Sequence, residues 1–345
     1  MPLRILGIET SCDETAAAVV EDGRRTLSSV ISSQAELHSA HGGVVPEVAS
    51  RQHVRDLVPV LDQAMSACGM SLEEVDAVAV TYGPGLAGSL ITGLNAAKAI
   101  AYSLGVPLIG VNHLEGHIYA SWLTQTNPEE DPGFPLACLV ASGGHTDLLL
   151  MEGHGNYKLV GQTRDDAAGE AFDKAARILG LGFPGGPEIQ RVSEGSTGEV
   201  KLPRAWMKDT LDFSFSGLKT ALLHLAQDRD IYPSPSPEID EEQLAALVRE
   251  LAAGFQESVV DVVSAKLVEM AAKYRVKGLV LGGGVTANAR LREEITRRSP
   301  LPVIVPPPVL CTDNGAMIAA CGYFQFQRGE EWPMELDINP GLPLG

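Results

Sequence analysis

The 345-residue chain has few cysteines and no pair of them in a Cys-x-x-Cys spacing. Its five cysteines are scattered through the sequence, at Cys12, Cys68, Cys138, Cys311 and Cys321. Disulfide frameworks and cysteine zinc cages both depend on characteristic cysteine spacings. The sequence therefore argues against both, and we expect small buried residues or free thiols.

Positive charge and long apolar runs are also scarce. The chain holds 26 Lys and Arg against 44 Asp and Glu, a formal net charge of −18, and only 5% of its residues are aromatic. Nucleic-acid surfaces need clustered cations, so any RNA contact must come from a local basic face or from a partner protein. No apolar run approaches the roughly 20 residues that cross a membrane. We expect a cytoplasmic protein without membrane contact.

Two stretches, residues 5–23 and 138–155, follow the same plan. Each has an apolar run, a sharp turn of small polar residues and a second apolar run closed by an acidic-glycine turn, which predicts a tight β-hairpin. The hairpins begin about 130 residues apart, which suggests a domain built twice. The pattern predicts an α/β protein of the actin-like and sugar-kinase-like architecture (ASKHA), with two lobes of mixed sheets flanked by helices and a central cleft.

Strands alternate with helices after each hairpin, which favours mainly parallel pairing with helices on both faces of each sheet. Periodicity is lost near residues 120–135. We therefore predict an N-terminal lobe at 1–125 and a C-terminal lobe at 126–345. We also expect the last helix, at about 313–330, to pack back on the first lobe.

The motif NHLEGH contains His113 and His117. Asn112 is a plausible N-cap after a strand, which would put both histidines on one face of a helix, four residues apart. Such a pair can bind one metal ion, or it can simply be packed or capped near a helix start. Glu115 stands in the wrong place for the common zinc-peptidase motifs, so a hydrolytic site of that type is disfavoured.

Asp313 offers a third ligand, at the turn before the last helix. The sequence alone explains Asp313 better as the N-cap of that helix, because Asp is a favoured cap. Two histidines and one carboxylate nevertheless make a plausible open site. The spacing does not choose between iron and zinc.

Glycine-rich turns supply candidate binding residues. The segment ASGGHT (141–146) offers backbone amides at a hairpin tip together with the His145 side chain, an arrangement suited to an anion. In GLVLGGGVTANARL, Asn288 is expected one turn into a helix, where it could bond a ribose or base edge. The alternative for this segment is an ordinary tight turn between a strand and a helix.

Taken together, nine ordered segments resemble the tRNA adenosine threonylcarbamoyltransferase family, of the bacterial TsaD type. The likeness covers nearly the whole chain, from about residue 5 to residue 320, in the segments GIETSCDETAAAVV, VTYGPGLAGSLITGLNAAKAIA, NHLEGHIYA, LVASGGHTDL, DDAAGEAFDKAARILGL, FPGGP, FSFSGLKTA, LGGGVTANARLR and CTDNGAMIA. The resemblance implies an actin-like enzyme that moves a threonylcarbamoyl group from threonylcarbamoyl-AMP to the N6 amine of the adenosine next to the anticodon. The acceptors would be tRNAs that read codons starting with A.

The resemblance also implies site residues. The family's metal ligands fall on His113, His117 and Asp313, and they imply one divalent ion, iron with zinc as the alternative. Its substrate-binding positions fall on Ala141, Ser142, Gly143, Gly144, His145, Asp173, Gly186 and Asn288. Gln190 departs from the family pattern, which often has Asp there, so one ribose or carboxylate contact is open.

The implied partners are the tRNA anticodon loop, a TsaB-like inert paralogue and a TsaE-like small ATPase. No general base is assigned, and Asp13 and Glu14 in the first hairpin turn are only candidates. Two other functions remain open from the sequence. One is a metallopeptidase, and the other is an ATPase or kinase of the same architecture.

Overall fold

The computed structural model describes residues 2–124, 131–196, 199–330 and 332–345. Within these residues, ten strands form two five-stranded sheets, ordered β3-β2-β1-β4-β5 and β10-β9-β6-β7-β8. The strands are β1 (Arg4–Glu9), β2 (Glu14–Glu21), β3 (Arg25–Ser33), β4 (Ala77–Gly83), β5 (Leu108–Asn112), β6 (Leu136–Ala141), β7 (Thr146–Gly153), β8 (Asn156–Gln162), β9 (Gly278–Gly282) and β10 (Val303–Ile304).

Both predicted hairpins are confirmed. Strands β1 and β2 pair antiparallel, with Glu9 opposite Ala16 at the turn end, and β6 and β7 pair antiparallel with Ala141 opposite Thr146. The next strands of each sheet pair parallel: β1 with β4 and β4 with β5 in the first sheet, and β6 with β9 and β9 with β10 in the second. The two mixed sheets therefore have the same strand order, as the duplicated actin-like fold predicts.

Helices occupy most of the chain between the strands. They are α1 (Ala35–Ser39), α2 (Pro46–Cys68), α3 (Ala87–Leu104), α4 (His113–Tyr119), α5 (Ala168–Ile178), α6 (Gly185–Ser193), α7 (Ser216–Asp228), α8 (Glu241–Tyr274), α9 (Ala289–Arg298), α10 (Pro308–Cys311) and α11 (Gly315–Gln327). None of the helices in the described ranges is both apolar enough and long enough to span a bilayer.

The chain divides into two compact units, one comprising Met1–Pro132, Gly153–Tyr157 and Pro306–Gly345, the other Gly133–Glu152 and Lys158–Val305. We call them the first and the second unit. The predicted lobes are defined by an internal duplication, which this division does not test, so their boundaries stay predictions.

In the first unit, α11 packs directly on β1. A Cβ added to Gly7 would lie 2.2 Å from the carbonyl oxygen of Gly315, so only glycine permits this close approach. The contact places the start of α11, and Asp313 just before it, against the central strand of the first sheet. The second unit has its own core, in which Leu139, Phe172 and Phe255 are almost fully buried.

Candidate metal centre

Helix α4 presents two histidines on one face. Strand β5 is buried throughout and ends at Asn112, whose side-chain oxygen accepts a hydrogen bond of 2.9 Å from the Leu114 amide. The predicted N-cap is therefore confirmed, and the helix begins at His113. Because residues four apart share a helix face, the rings of His113 and His117 meet, with centroids 4.6 Å apart.

Asp313 reaches the same place from the turn before α11. The N-cap of α11 is Asn314, whose side chain accepts a hydrogen bond of 2.9 Å from the Met317 amide. The N-cap interpretation of Asp313 is therefore wrong, because the neighbouring asparagine takes that position. The Asp313 carboxylate turns instead toward the histidines, with Oδ1 3.5 Å from His113 Nε2 and 3.2 Å from His117 Nε2.

The donor set of His113, His117 and Asp313 fits a metal ion. One ligand atom from each residue lies within 4.8 Å of the others. His117 is fully buried, its Nδ1 has no hydrogen-bond partner within the described part of the chain, and its Nε2 has only the Asp313 carboxylate beside it. A buried polar atom without a good partner is costly, and a metal ion bound by Nε2 and the Asp313 carboxylate would satisfy both groups. Two imidazoles and one carboxylate suit iron or zinc.

Glu9 contacts the ring nitrogen of His113 that does not face Asp313. Its Oε2 lies 3.1 Å from His113 Nδ1 and accepts a hydrogen bond of 2.6 Å from Thr81 Oγ1, while Oε1 accepts from the Ser11 amide. A carboxylate on the second ring nitrogen fixes the tautomer and leaves the other nitrogen for a metal. Sequence reasoning missed Glu9; the available signal was a carboxylate that ends the apolar run of β1.

Burial and the neighbouring charges shift the pKa values of the three candidate ligands. Burial by itself would lower the pKa of His113, but the carboxylates of Asp313 and Glu9 outweigh it and raise that pKa to about 9. Burial would raise the pKa of Asp313, but the two histidines hold it at about 2. Burial lowers the pKa of His117. Without a bound ion, His113 is therefore protonated at neutral pH beside the ionised Asp313, and a divalent ion would bind in exchange for that proton.

Glu115 lies on another face of α4, as predicted. Its carboxylate accepts hydrogen bonds from Tyr157 Oη at 3.1 Å and from Gln325 Nε2 at 3.0 Å. These contacts are with residues outside the ligand set, so Glu115 is not placed as a base for a metal-bound nucleophile.

The predicted anion-binding tip lies in the second unit. The Ser142 amide donates to the carbonyl oxygen of His145 at 2.9 Å, which closes the turn between Ala141 and Thr146. Gly143 and Gly144 are exposed, and no described atom lies within 4 Å of a Cβ added to either. The tip is therefore open to a ligand.

Helix α6 connects the other predicted substrate positions. Asp173 Oδ1 accepts a hydrogen bond of 2.7 Å from the Gly185 amide, next to Gly186. Gln190, on the same helix, accepts one of 2.7 Å from the Ala289 amide at the start of α9. Asp173, Gly186 and the start of α9 are therefore grouped within one unit.

Asn288 does not lie one turn into a helix, contrary to prediction. A 3₁₀ turn takes up Gly284–Ala287, so Asn288 is the N-cap of α9 and accepts a hydrogen bond of 3.0 Å from the Leu291 amide. Its amide nitrogen donates to Gln256 Oε1 at 2.8 Å. Gln256 and Ala289 line an adjacent cleft of about 710 Å³. The substrate roles of these residues stay predictions.

Comparison with known proteins identifies a family. The family model described as TsaD, tRNA N6-adenosine threonylcarbamoyltransferase, matches residues 25–320. A protein of that name from Thermomicrobium roseum is 55% identical over 352 residues, covering 99% of this chain and 96% of the relative. Another of that name, from Dehalococcoides mccartyi, is 54% identical, covering 99% of both chains.

Solved structures match in fold at low sequence identity. HypF from T. kodakarensis has a TM-score of 0.60 at 14% identity, over 95% of this chain and 50% of that one. The activator of 2-hydroxyisocaproyl-CoA dehydratase from Clostridium difficile has a TM-score of 0.54 at 16% identity, over 95% and 97%. These likenesses support the actin-like fold class and nothing further.

Proposed function

Since the chain belongs to the tRNA N6-adenosine threonylcarbamoyltransferase family, we propose that it transfers the threonylcarbamoyl group from threonylcarbamoyl-AMP to adenosine N6. The acceptor is the adenosine next to the anticodon in tRNAs that read codons starting with A. The observation that carries this proposal is the convergence of His113, His117 and Asp313 within 4.8 Å in a chain of this family.

The three residues hold one divalent metal ion in this proposal, iron in the first instance and zinc as the alternative. Two neutral imidazoles and one carboxylate leave net positive charge on a divalent ion. When bound, the ion supplies Lewis-acid polarisation of the donor. Glu9 contributes by holding His113 in the tautomer whose Nε2 faces Asp313.

The reaction needs an activated donor. The exocyclic amine of adenine is a weak nucleophile because its lone pair is delocalised into the ring, whereas a mixed acyl-phosphate anhydride already carries a good leaving group. The open turn from Ser142 to His145 would hold phosphate or carbamoyl oxygens through backbone amides. In this proposal, positioning of donor and acceptor supplies most of the remaining rate enhancement.

The general base remains unassigned between the two hairpin candidates, Asp13 and Glu14. Burial, together with the charge of Asp313, raises the pKa of Glu14 to about 10. A carboxyl with that pKa is protonated at neutral pH, which does not favour Glu14 as a base.

The nucleoside part of the donor is proposed to contact Asp173, Gly186 and Asn288. Gln190, which departs from the family pattern, accepts a hydrogen bond of 2.7 Å from the Ala289 amide through its Oε1. This contact shows how a neutral amide is accommodated beside Asn288.

Partner proteins are part of the proposal. A chain with a net charge of −18 repels tRNA on average, so a TsaB-like inert paralogue and a TsaE-like small ATPase would help to bind the anticodon loop. We place the reaction in the cytoplasm, where its tRNA substrates are found.

A reconstitution assay tests the proposal. The purified, iron-loaded protein is mixed with both partners, tRNA and threonylcarbamoyl-AMP, and the digested tRNA is examined for threonylcarbamoyladenosine by mass spectrometry. We expect product with the wild type and none with Asp313→Ala. Equal product from the wild type and Asp313→Ala would refute the proposal. So would the absence of product from the wild type in a mixture in which a characterised relative modifies the tRNA.

The alternatives find less support. A metallopeptidase needs a base beside the metal, but the Glu115 carboxylate is bonded to Tyr157 and Gln325. An ATPase or kinase of this architecture has no need of the paired histidines.

A further inference from the structure

Glu115 lies between the two histidine ligands on α4, yet it takes no part in the metal centre. It is only 5% exposed. Its Oε1 accepts from Tyr157 Oη at 3.1 Å, its Oε2 accepts from Gln325 Nε2 at 3.0 Å, and Arg328 lies 4.0 Å away. Burying a carboxylate is costly even when it is paired, and apolar replacements of such groups are often as stable. Its presence here therefore calls for a role other than stability.

The Gln325 bond joins the two helices that present the ligands. Gln325 lies on α11, ten residues after its first residue Gly315, or about 15 Å along the helix at a rise of 1.5 Å per residue. Glu115 lies on α4, two residues from each histidine. The bond therefore connects the segment that carries both imidazoles with the segment that carries the carboxylate.

Helix α4 depends on such contacts for its orientation. It has only seven residues, and a helix of that length is not stable by itself. Near the start of α11, a Cβ on Gly116 would lie 2.8 Å from Ile318 Cδ1, so the two helices touch there. The Glu115–Gln325 bond makes a second contact near the end of α11. These contacts lie seven residues apart on α11 and come from neighbouring residues of α4, so the Glu115–Gln325 bond restrains how far the two helices can turn against each other.

We propose that Glu115 is a positioning residue for the metal centre. Its carboxylate ties α4 to α11 through Gln325 and thereby sets the distance from His113 and His117 to Asp313. This inference rests on the metal centre of the proposed function and adds a residue to its support.

One substitution at Glu115 should preserve a hydrogen bond between α4 and α11. Gln325 Oε1 has no hydrogen-bond partner among the residues that the structure describes. In Glu115→Gln, the new amide nitrogen would face Gln325, and a rotated Gln325 amide could accept from it through this oxygen. Glu115→Ala and Gln325→Leu remove the bond altogether.

Cobalt(II) serves as the probe, because its visible absorption reports coordination geometry without any assay of activity. We expect Glu115→Ala and Gln325→Leu each to weaken Co²⁺ binding about 10- to 100-fold, the usual effect of losing support for a ligand, and to shift the absorption bands. The double variant should be no weaker than the worse single one, since both remove the same bond. Glu115→Gln should bind Co²⁺ with nearly wild-type affinity and spectrum.

Met65→Ala is the matched control for lost stability. Met65 is buried in the core of the same unit, on α2 rather than on α4 or α11, and we expect its Co²⁺ spectrum to be unchanged. The inference is overturned if Glu115→Ala and Gln325→Leu bind Co²⁺ like wild type, if Glu115→Gln fails as badly as Glu115→Ala, or if Met65→Ala shifts the spectrum equally. A wild-type protein that binds no Co²⁺ would instead contradict the metal centre itself.

Discussion

Glu9 Oε2 lies 3.1 Å from His113 Nδ1, although 104 residues separate the two in the chain. Strand β1 positions the carboxylate and the first turn of α4 positions the ring. The same carboxylate also accepts from Thr81 and Ser11, so its orientation is fixed from three sides. A metal ligand held in this way needs little rearrangement to bind an ion.

Replacing Glu9 with Gln should therefore weaken metal binding about 10- to 100-fold. The amide keeps the size of the side chain, but its NH₂ group must face one of the donors that Glu9 now accepts from. Competition with a chelator of known affinity measures the change. Ser28→Ala, in the same sheet, is the control: Ser28 Oγ accepts a hydrogen bond of 3.3 Å from the Val19 amide and takes no part in the metal centre, so the metal affinity of this variant should stay at the wild-type value. A Glu9→Gln variant as tight as wild type would show that this carboxylate does not support the ligand.

Asp313 is a proposed metal ligand, whereas its neighbour Asn314 caps α11. Their variants should therefore differ in opposite ways in metal content and stability. Asp313→Asn should remain folded and lose its metal, because the helix cap belongs to Asn314. Asn314→Ala should cost about 1–2 kcal/mol of stability through the lost cap and retain one metal ion per chain. Denaturant unfolding and elemental analysis of the two proteins measure these quantities. Metal loss in Asn314→Ala with full metal in Asp313→Asn would contradict the assignment.

Asn288 can be tested without confusing its cap with its proposed ligand contact. Asn288→Ser keeps a capping oxygen but lacks the amide group that now donates to Gln256. We expect it to keep the helix cap, to lose about 1 kcal/mol of stability through the unpaired Gln256 oxygen, and to bind a non-hydrolysable threonylcarbamoyl-adenylate analogue more weakly, with unchanged metal content. Calorimetric titration gives the affinity. Wild-type affinity in the serine variant would remove Asn288 from the nucleoside contacts.

Glu294 predicts an acid-sensitive contribution to stability in the second unit. Hydrogen bonds from Arg297, with Arg298 and Arg290 also close, lower its pKa from 4.5 to about 2. Because the folded pKa is depressed, the stabilisation is present above pH 4.5 and is lost as the pH falls toward 2. At neutral pH it amounts to at most about 3 kcal/mol.

Urea unfolding of wild type and Glu294→Gln at pH 6 and pH 3 checks this. At pH 6 the wild type should have a larger free energy of unfolding than Glu294→Gln, and this difference between the two proteins should become smaller at pH 3. An equal difference at the two pH values would mean that ionisation of Glu294 does not contribute to stability.

Most local features of this fold could be predicted from the sequence, whereas contacts between distant segments could not. The hairpins, the Asn112 cap and the shared face of His113 and His117 each depend on residues within a few positions of one another. The sequence predicted Asp313 as the cap of α11, and this was wrong, because the neighbouring Asn314 is an equally good cap and only the backbone of the turn decides between them.

Two further differences between sequence and structure concern Asn288 and Glu9. Asn288 was expected one turn into its helix, but the glycine-rich segment forms a 3₁₀ turn first and delays the helix start. Glu9 depends on a partner from a distant strand-to-helix turn, for which no local pattern exists. The set of His113, His117 and Asp313 was implied by family resemblance, and the fold brings these residues together.

The most direct measurement is nucleoside mass spectrometry of tRNA from cells depleted of this protein and supplied with wild type or Asp313→Asn. We expect threonylcarbamoyladenosine to disappear on depletion, to return with wild type and to stay absent with the variant at equal protein level. Full restoration of the modified nucleoside by Asp313→Asn would contradict this expectation.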